Sequence, residues 1–332
     1  MVLIHDGALH SATWDDVWPI FCKDFHVVRY DRRGFGRSPT STMPYFPVDD
    51  VSAVMHAAGV QHAIIVGSSA GGGLAVDFTL KHPEAVDRLI LSGPQVLGLG
   101  QSRYFVDRTI AMQKRELNGD VENAIRDDGR AFAPGHEAAL KRMVALLTAY
   151  PQDLHHSDDM ARPAPPAVPL LSSIKAPTMI LVGTHDTPDV QAWAGAIDAA
   201  IPGSHRVVVP DTGHLMYLEQ PQHFVQLIEQ FVAARQHPDR ETALRRYLGS
   251  LERGQPNYED MTPNAAASVR REMPVILALL KPMGAIKSIR FAYGTETGAD
   301  AYWVTYAHGR AEWTVAPLTA EGKMQSPGLR FP

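Results

Sequence analysis

Two kinds of apolar pattern alternate along the first ninety or so residues of the chain. Short continuous apolar runs are typical of strands buried on both faces of a sheet, and they occupy residues 2–5, 26–30, 62–66 and 86–91. Apolar residues spaced three or four apart predict amphipathic helices at residues 11–21, 48–58 and 70–81. Strands that alternate with helices of about a dozen residues predict an α/β fold, a mostly parallel sheet with helices on both faces.

The alternation stops between residues 97 and 173, where the chain carries helical patterns only. The clearest of them cover residues 104–117 and 136–149, and a proline-rich stretch follows at 162–170. A mostly helical insertion with an irregular exit is the usual form of a lid over the active edge of a sheet. The alternation then resumes, with strands predicted at 178–182 and 205–209 and helices at 190–201 and 218–234.

A second change of pattern, at residues 236–239, divides the chain into two predicted domains, 1–236 and 241–332. The second domain starts with helical patterns and ends with stretches of alternating polarity, which predict an antiparallel meander. Its helices are predicted at 241–253 and 262–280, the latter interrupted at Pro274, and its strands at 286–293, 300–307 and 310–316. This order indicates a small α+β domain of about 90 residues.

Composition restricts the classes of function. Of the 332 residues, 45% are hydrophobic and 20% are charged, and the formal net charge is −5. No cluster of lysine and arginine is dense enough to indicate nucleic acid or an anionic membrane as a partner. No apolar stretch reaches about 18 residues, and Met1 is followed at once by apolar residues without a charged leader. The lone cysteine, Cys22, fits a reducing compartment, so we expect a cytoplasmic protein.

The turn after the third predicted strand carries the candidate nucleophile. Its sequence, G-S-S-A-G-G-G at residues 67–73, places Ser69 two residues from Gly67 and two from Gly71. In this G-x-S-x-G pattern the glycines let strand and helix pass close to a serine held in a strained conformation, with its hydroxyl exposed. Chance alone gives roughly one such match in ten chains of this composition, so the surrounding pattern must support the assignment.

A serine nucleophile needs a base and a group that orients the base, and both are expected after later strands. Asp186 stands at the first turn after the strand at 178–182, and His214 stands in the loop after the strand at 205–209. The order Ser, Asp, His is the one expected in a sheet of this type. Asp189 is the rival acid, but it directly precedes a predicted helix, where an aspartate is usually an N-cap.

The tetrahedral intermediate of acyl transfer needs two backbone N–H donors. One donor is expected from Ala70, at the start of the helix that follows Ser69, where the helix dipole favours an anion. The other is expected from the first loop, H-D-G-A at residues 5–8, and we assign it to Gly7 with Ala8 as the alternative. The sequence thus predicts an oxyanion hole formed by Gly7 and Ala70.

Residues 1 to about 236 resemble the α/β-hydrolase fold superfamily, in its branch of small-molecule esterases and lactonases. The motifs that carry the resemblance are L-I-H-D-G-A-L-H-S-A-T-W at 3–14, R-Y-D-R-R-G-F-G-R-S at 29–38, G-S-S-A-G-G-G at 67–73, V-G-T-H-D at 182–186 and D-T-G-H-L at 211–215. The resemblance implies hydrolysis through Ser69, His214 and Asp186, without a cofactor: Ser69 forms the acyl-enzyme, His214 acts as base and then acid, and Asp186 orients His214.

The sequence departs from the family pattern in two places. The family usually has His-Gly in the first loop, where this chain has His5-Asp6. The family also has two strands before the one that here begins at Val2, so an edge of the sheet is absent, lies upstream or is covered by another chain.

The C-terminal domain loosely resembles the cystatin-like or NTF2-like accessory domains of some hydrolases. The resemblance rests on the order of helices and meander and on strands such as Y-W-V-T-Y at 302–306. No candidate catalytic site is visible there, so packing or homodimer formation is the expected role.

Further substrate contacts are predicted at Ala8 and His10, beside the oxyanion loop, and at Tyr104 and Met143 in the lid. Helix packing and loop exposure explain these residues equally well. Phe105, Phe132 and Leu147 are lid candidates of the same kind, and the short run at 155–159 is usually solvated rather than metal-binding, so no metal site is expected.

These observations predict a serine hydrolase that cleaves carboxylic esters or lactones of small molecules. Two alternatives use the same residues: hydrolysis of carbon–carbon bonds in dienoic ring-cleavage products, and cofactor-free perhydrolysis. A third alternative belongs to another class, a binding protein that retains the pocket without catalysis. Packing of the lid sets the acyl and leaving groups, so the sequence does not identify them.

Overall fold

The computed structural model describes residues 1–128, 131–155, 160–162, 164–233, 236–295 and 297–331. The described chain forms two compact units, Met1–Ile228 and Glu229–Pro332.

The first unit is built on a six-stranded parallel sheet. The strand order is β2-β1-β3-β4-β5-β6. The strands are β1 Val2–Ile4, β2 Val28–Arg29, β3 Ala63–Ser68, β4 Val86–Ser92, β5 Thr178–Gly183 and β6 His205–Val209. Strands β1, β3 and β5 are mostly apolar because helices cover the sheet, and their side chains on one face form a core with the helices. The predicted parallel α/β fold is confirmed.

Helices pack against the sheet and form the insertion between β4 and β5. The helices that lie in this unit or begin in it are α1 Trp18–Phe21, α2 Pro47–Ala57, α3 Ala70–Lys81, α4 Arg103–Leu117, α5 Val121–Asp128, α6 Glu137–Ala149, α7 Pro188–Ala200, α8 Met216–Glu219 and α9 Pro221–Ala233, the last of which continues beyond Ile228. Short 3-10 helices lie at Ser11–Trp14, Pro83–Ala85, Pro151–His155 and Val168–Ser173. Helices α4 to α6 belong to the predicted lid, and α5 is an element that the sequence pattern did not predict.

Two predicted helices are interrupted where a proline begins a new segment. The helix expected at 11–21 is a 3-10 turn, Ser11–Trp14, followed by α1 with Pro19 in its first turn. The helix expected at 218–234 is divided into α8 and α9, with Pro221 at the start of α9. In both cases the proline ring restricts the backbone conformation of the preceding residue, and proline lacks a backbone N–H. A helix tolerates this only in its first turn.

The second unit is an antiparallel sheet with two helices, α10 Pro238–Glu252 and α11 Pro263–Leu280. The sheet order is β10-β9-β8-β7, with strands β7 Ile286–Gly294, β8 Asp300–Tyr306, β9 Gly309–Val315 and β10 Pro327–Arg330. It has its own core, in which Trp313 is fully buried. The short strand β10 was not predicted. The predicted interruption at Pro274 is wrong, because α11 continues through this exposed residue.

Candidate active site

The turn between β3 and α3 holds Ser69 in a strained backbone conformation. Its φ is 51° and its ψ is −117°, backbone angles that residues other than glycine rarely adopt. A Cβ atom on Gly67 would lie 2.3 Å from the Gly71 carbonyl oxygen, and one on Gly71 would lie 2.3 Å from the His5 carbonyl oxygen. Both glycines are therefore required by close backbone approach, which is the physical basis of the G-x-S-x-G pattern.

Asp186 and His214 meet at the carboxyl edge of the sheet, after β5 and β6. The His214 Nδ1 atom lies 2.8 Å from Asp186 Oδ2. Asp186 is fully buried, and its other carboxylate oxygen, Oδ1, accepts a 2.6 Å hydrogen bond from the Thr187 N–H. Because Asp186 engages Nδ1, Nε2 is the ring nitrogen that remains to exchange a proton with another group.

The charges around His214 favour its protonated form. Burial lowers the pKa of His214, but the Asp186 carboxylate, with a further contribution from Asp6, outweighs burial and raises the pKa above its usual value. The positive charge of Arg108 acts in the opposite direction. The ring can therefore take up a proton during a reaction at little cost.

Ser69 and His214 line the same cavity. Across the described residues, the His214 ring is hydrogen-bonded to Asp186 and not to the Ser69 hydroxyl. Hydrogen bonds between a nucleophile and its base are often long or poorly aligned until substrate is bound.

The first loop brings Gly7 and Ala8 to the cavity beside Ser69. The Ala8 N–H donates to Asp6 Oδ1 at 2.8 Å, so it is already engaged. Ala70 is the first residue of α3, where N–H groups have no partner within the helix. The Cβ position of Gly7 lies 3.3 Å from the Ala70 Cβ, so the two backbones lie side by side. This geometry favours Gly7 over Ala8 as the first donor.

Asp6, the departure from the family pattern, anchors this loop. Its Oδ1 also accepts the Leu9 N–H at 3.0 Å, and its Oδ2 accepts the Tyr217 hydroxyl at 3.2 Å. Burial raises the pKa of Tyr217 well above its usual value, so the phenol remains a donor. Arg32 donates to the Asp6 carbonyl oxygen at 2.7 Å, which gives this arginine a structural role in the loop. The carboxylate therefore provides the loop with side-chain hydrogen bonds that a glycine would lack.

The cavity has a volume of about 330 Å³ and lies between the sheet edge and the lid. Its wall is mostly apolar, which suits a small organic molecule. The lid contributes α4 residues, Ile125 of α5 and Met143 of α6.

Comparison with known proteins agrees with this architecture. The sequence profile described as "Alpha/beta hydrolase family" matches residues 1–227.

The chain belongs to the α/β hydrolase family.

This hydrolase has relatives of several activities. It is 24% identical over 254 residues to a pimeloyl-[acyl-carrier protein] methyl ester esterase of Aeromonas hydrophila subsp. hydrophila, a match covering 70% of this chain and 94% of the relative. The structure of Est816, an N-acyl homoserine lactone degrading enzyme, is 28% identical, with a TM-score of 0.58 and coverage of 69% of this chain and 91% of the other. The enol-lactonase of Burkholderia xenovorans LB400 shares the fold at 22% identity, with a TM-score of 0.56 and coverage of 69% and 88%.

Only some of the residues predicted to contact substrate in this hydrolase line the cavity. Ala8 and Met143 line the cavity, and so does Phe105. His10 does not: it is buried, and its Nδ1 lies 2.9 Å from Asp153 Oδ2 in the lid. Tyr104 also lies outside the cavity wall, with 49% of its surface exposed, because α4 turns Phe105 rather than Tyr104 inward.

The remaining lid candidates and the rival acid have structural contacts. Phe132 and Leu147 are buried but do not line the cavity. Asp189 accepts hydrogen bonds from the backbone N–H and the hydroxyl of Ser102, at 2.7 and 2.8 Å. The expected N-cap role of Asp189 is wrong, because Thr187 caps α7 by accepting the Val190 N–H.

A clamp between the lid and the His214 loop was missed by the sequence reasoning. Glu219 accepts the Ala133 N–H of the lid at 2.6 Å with one carboxylate oxygen, and the Gly213 N–H at 2.7 Å with the other. The His214 N–H donates to the Ala131 carbonyl oxygen at 3.0 Å. A glutamate five residues after the candidate base is a weak sequence signal, since only the fold brings it between these two segments.

Within the described residues, no group of three or more histidine, cysteine or acidic side chains could hold a metal ion. The run at 156–159 lies outside the described residues. None of the helices that the structure describes is both long and apolar enough to cross a membrane.

Proposed function

We propose that this member of the α/β hydrolase family is a serine hydrolase that cleaves carboxylic esters or lactones of small molecules. The observation that supports this most directly is the 2.8 Å contact between His214 Nδ1 and Asp186 Oδ2, beside a strained Ser69 on the wall of the same cavity. The relatives with esterase and lactone-degrading activities are consistent with it.

In the proposed reaction, the Ser69 oxygen attacks the ester carbonyl carbon while its proton passes to His214 Nε2. The carbonyl oxygen becomes an oxyanion, which the N–H groups of Gly7 and Ala70 bind; such a donor contributes about 3–4 kcal/mol. The carbon–oxygen bond to the alcohol then breaks, and the alcohol takes the proton from His214, leaving an acyl group on Ser69.

Water completes the cycle by the same steps. His214 takes a proton from water as the water oxygen attacks the acyl carbon, and it returns this proton to Ser69 as the acid leaves. Asp186 stays ionised throughout and stabilises the imidazolium form of His214. For a lactone, the alcohol and the acid remain parts of one product.

Two other aspects of the proposal concern location and assembly. A cytoplasmic location and a homodimer formed through residues 241–332 stay predictions, as does the absence of nucleic acid and membrane partners.

The proposed function is tested with a panel of 4-nitrophenyl esters from acetate to octanoate, a simple lactone and a dienoic ketone. We expect hydrolysis of esters or lactones by the natural protein and by Ser172→Ala, an exposed serine that serves as the control. Ser69→Ala should abolish turnover. Turnover of the dienoic ketone alone would move the assignment to carbon–carbon hydrolysis, and binding without turnover of any substrate would make the protein a ligand-binding member.

A further inference from the structure

Arg108 is the only arginine or lysine among the described residues that line the cavity. It lies on α4, the helix that also contributes Phe105, Thr109 and Met112 to the wall. The Arg108 guanidinium lies over the Phe105 ring, 5.9 Å from its centre, so the mostly apolar wall carries a positive charge beside an aromatic face.

Arg108 lies in the wall of the same cavity that Ser69 and His214 line. Arg108 is half-buried, and its positive charge is among the influences that lower the pKa of His214. A group bound by Arg108 would therefore lie near a carbonyl carbon under attack by Ser69.

The two carboxylates on the wall are already hydrogen-bonded. Asp6 accepts the N–H groups of Ala8 and Leu9 and the hydroxyl of Tyr217. Asp186 accepts hydrogen bonds from His214 and Thr187. Their charge is spread over these donors, so they oppose an incoming anion less than exposed carboxylates would.

Resting on the proposed function, we propose that Arg108 binds a carboxylate of the substrate, so that the preferred substrates are esters or lactones carrying a carboxylate close to the bond that is cleaved. A guanidinium presents five N–H donors in a planar fork. It can therefore keep a contact within the protein and still bind a carboxylate through two parallel hydrogen bonds.

The natural protein is tested first, with two pairs of esters that differ in charge and little in size. One pair places the carboxylate on the acyl side: 4-nitrophenyl hydrogen adipate against 4-nitrophenyl hexanoate. The other places it on the alcohol side: 3-carboxyphenyl acetate against phenyl acetate. With uncatalysed hydrolysis subtracted, we expect kcat/KM to favour the anionic member of at least one pair by about tenfold or more.

The ratio of kcat/KM for the anionic ester to kcat/KM for its neutral partner is then measured in three variants. Arg108→Met should reduce this ratio at least about tenfold; both esters are measured on the same variant, so an effect common to both cancels, and measurable hydrolysis of the neutral ester reports a folded site. Arg108→Lys should restore part of it, because the charge remains but the planar fork is lost. Arg103→Met is the matched control, since Arg103 is on the same helix with 93% of its side chain exposed, and it should leave the ratio unchanged.

The outcomes separate this inference from the proposed function. The role of Arg108 is overturned if neutral esters are hydrolysed as well as anionic ones, or if the preference for the anionic ester remains in Arg108→Met. Either result leaves the hydrolase assignment intact. If the folded protein hydrolyses neither these esters nor the simple lactone, the proposed function itself fails.

Discussion

Single residues of the site were predictable where backbone geometry restricts the choice. Ser69, Asp186 and His214 follow the third, fifth and sixth strands of the sheet, and strand patterns alone placed them at one edge. The sequence could not show that Asp6 anchors the first loop by accepting the Tyr217 hydroxyl, because Tyr217 lies 211 positions away in the chain. Nor could it show that His10 pairs with Asp153, a contact that exists only once the lid is folded.

The pH dependence of activity tests the role of Asp186. The base must be neutral, so kcat/KM should fall as the pH drops through the pKa of His214, which Asp186 holds above its usual value. Asp186→Asn removes the negative charge that raises the pKa of His214. The acid limb of the profile, the fall of kcat/KM at low pH, should therefore move to lower pH, while kcat falls by about 10³-fold or more.

Asp189→Asn is the control for this experiment, because Asp189 binds Ser102 rather than His214. It should leave the acid limb in place. An acid limb that moves in Asp189→Asn and not in Asp186→Asn would reverse the assignment of the orienting acid.

At the scale of elements, the lid and the loop of His214 form one hydrogen-bonded assembly. Glu219, at the end of α8, bridges the Ala133 and Gly213 N–H groups, and the Ala131 carbonyl oxygen accepts the His214 N–H. Sequence periodicity predicted α4 and α6 of the lid, since it reports which side of a helix is apolar, but it did not predict α5. It could not predict hydrogen bonds between backbone and side chain across the fold.

Glu219→Gln tests whether the clamp positions His214. A glutamine offers one acceptor oxygen, and its NH₂ group would face a second N–H, so one of the two hydrogen bonds is lost. An unpaired buried N–H costs about 1–3 kcal/mol. We expect kcat to fall about tenfold at 25 °C while KM for a neutral ester changes less than threefold.

The control for the clamp is Glu84→Gln, at a side chain that is 73% exposed. It should leave kcat unchanged. A normal kcat in Glu219→Gln, accompanied only by a lower melting temperature, would show that the clamp stabilises the fold without positioning the base.

At the scale of the whole molecule, the chain contains two units with separate cores. The change of hydrophobic period predicted both, because a helical pattern followed by alternating polarity does not extend a parallel sheet. The short strand β10 escaped prediction because Pro327 and Gly328 are poor strand formers.

Trp313→Ala tests the separateness of the cores. Trp313 is 1% exposed, and its Nε1 donates to the Tyr306 hydroxyl at 3.0 Å. Loss of the ring should destabilise the C-terminal unit by about 3–5 kcal/mol in chemical denaturation. Ester hydrolysis should remain within about twofold of the natural protein, since Trp313 belongs to the other core.

Phe331→Ala, at a residue that is 37% exposed, is the control and should change the stability by less than about 1 kcal/mol. Loss of hydrolysis in Trp313→Ala under conditions where the first unit stays folded would show that the active site depends on the C-terminal core.

The central claim, that Ser69 is an activated nucleophile, is tested most directly by labelling with a fluorophosphonate and mapping the adduct by mass spectrometry. We expect one adduct per chain, located on Ser69, absent in Ser69→Ala and formed at least about 100-fold more slowly in His214→Ala. Ser172→Ala should label like the natural protein. A folded protein that forms no adduct, or forms it at another residue, would contradict the account.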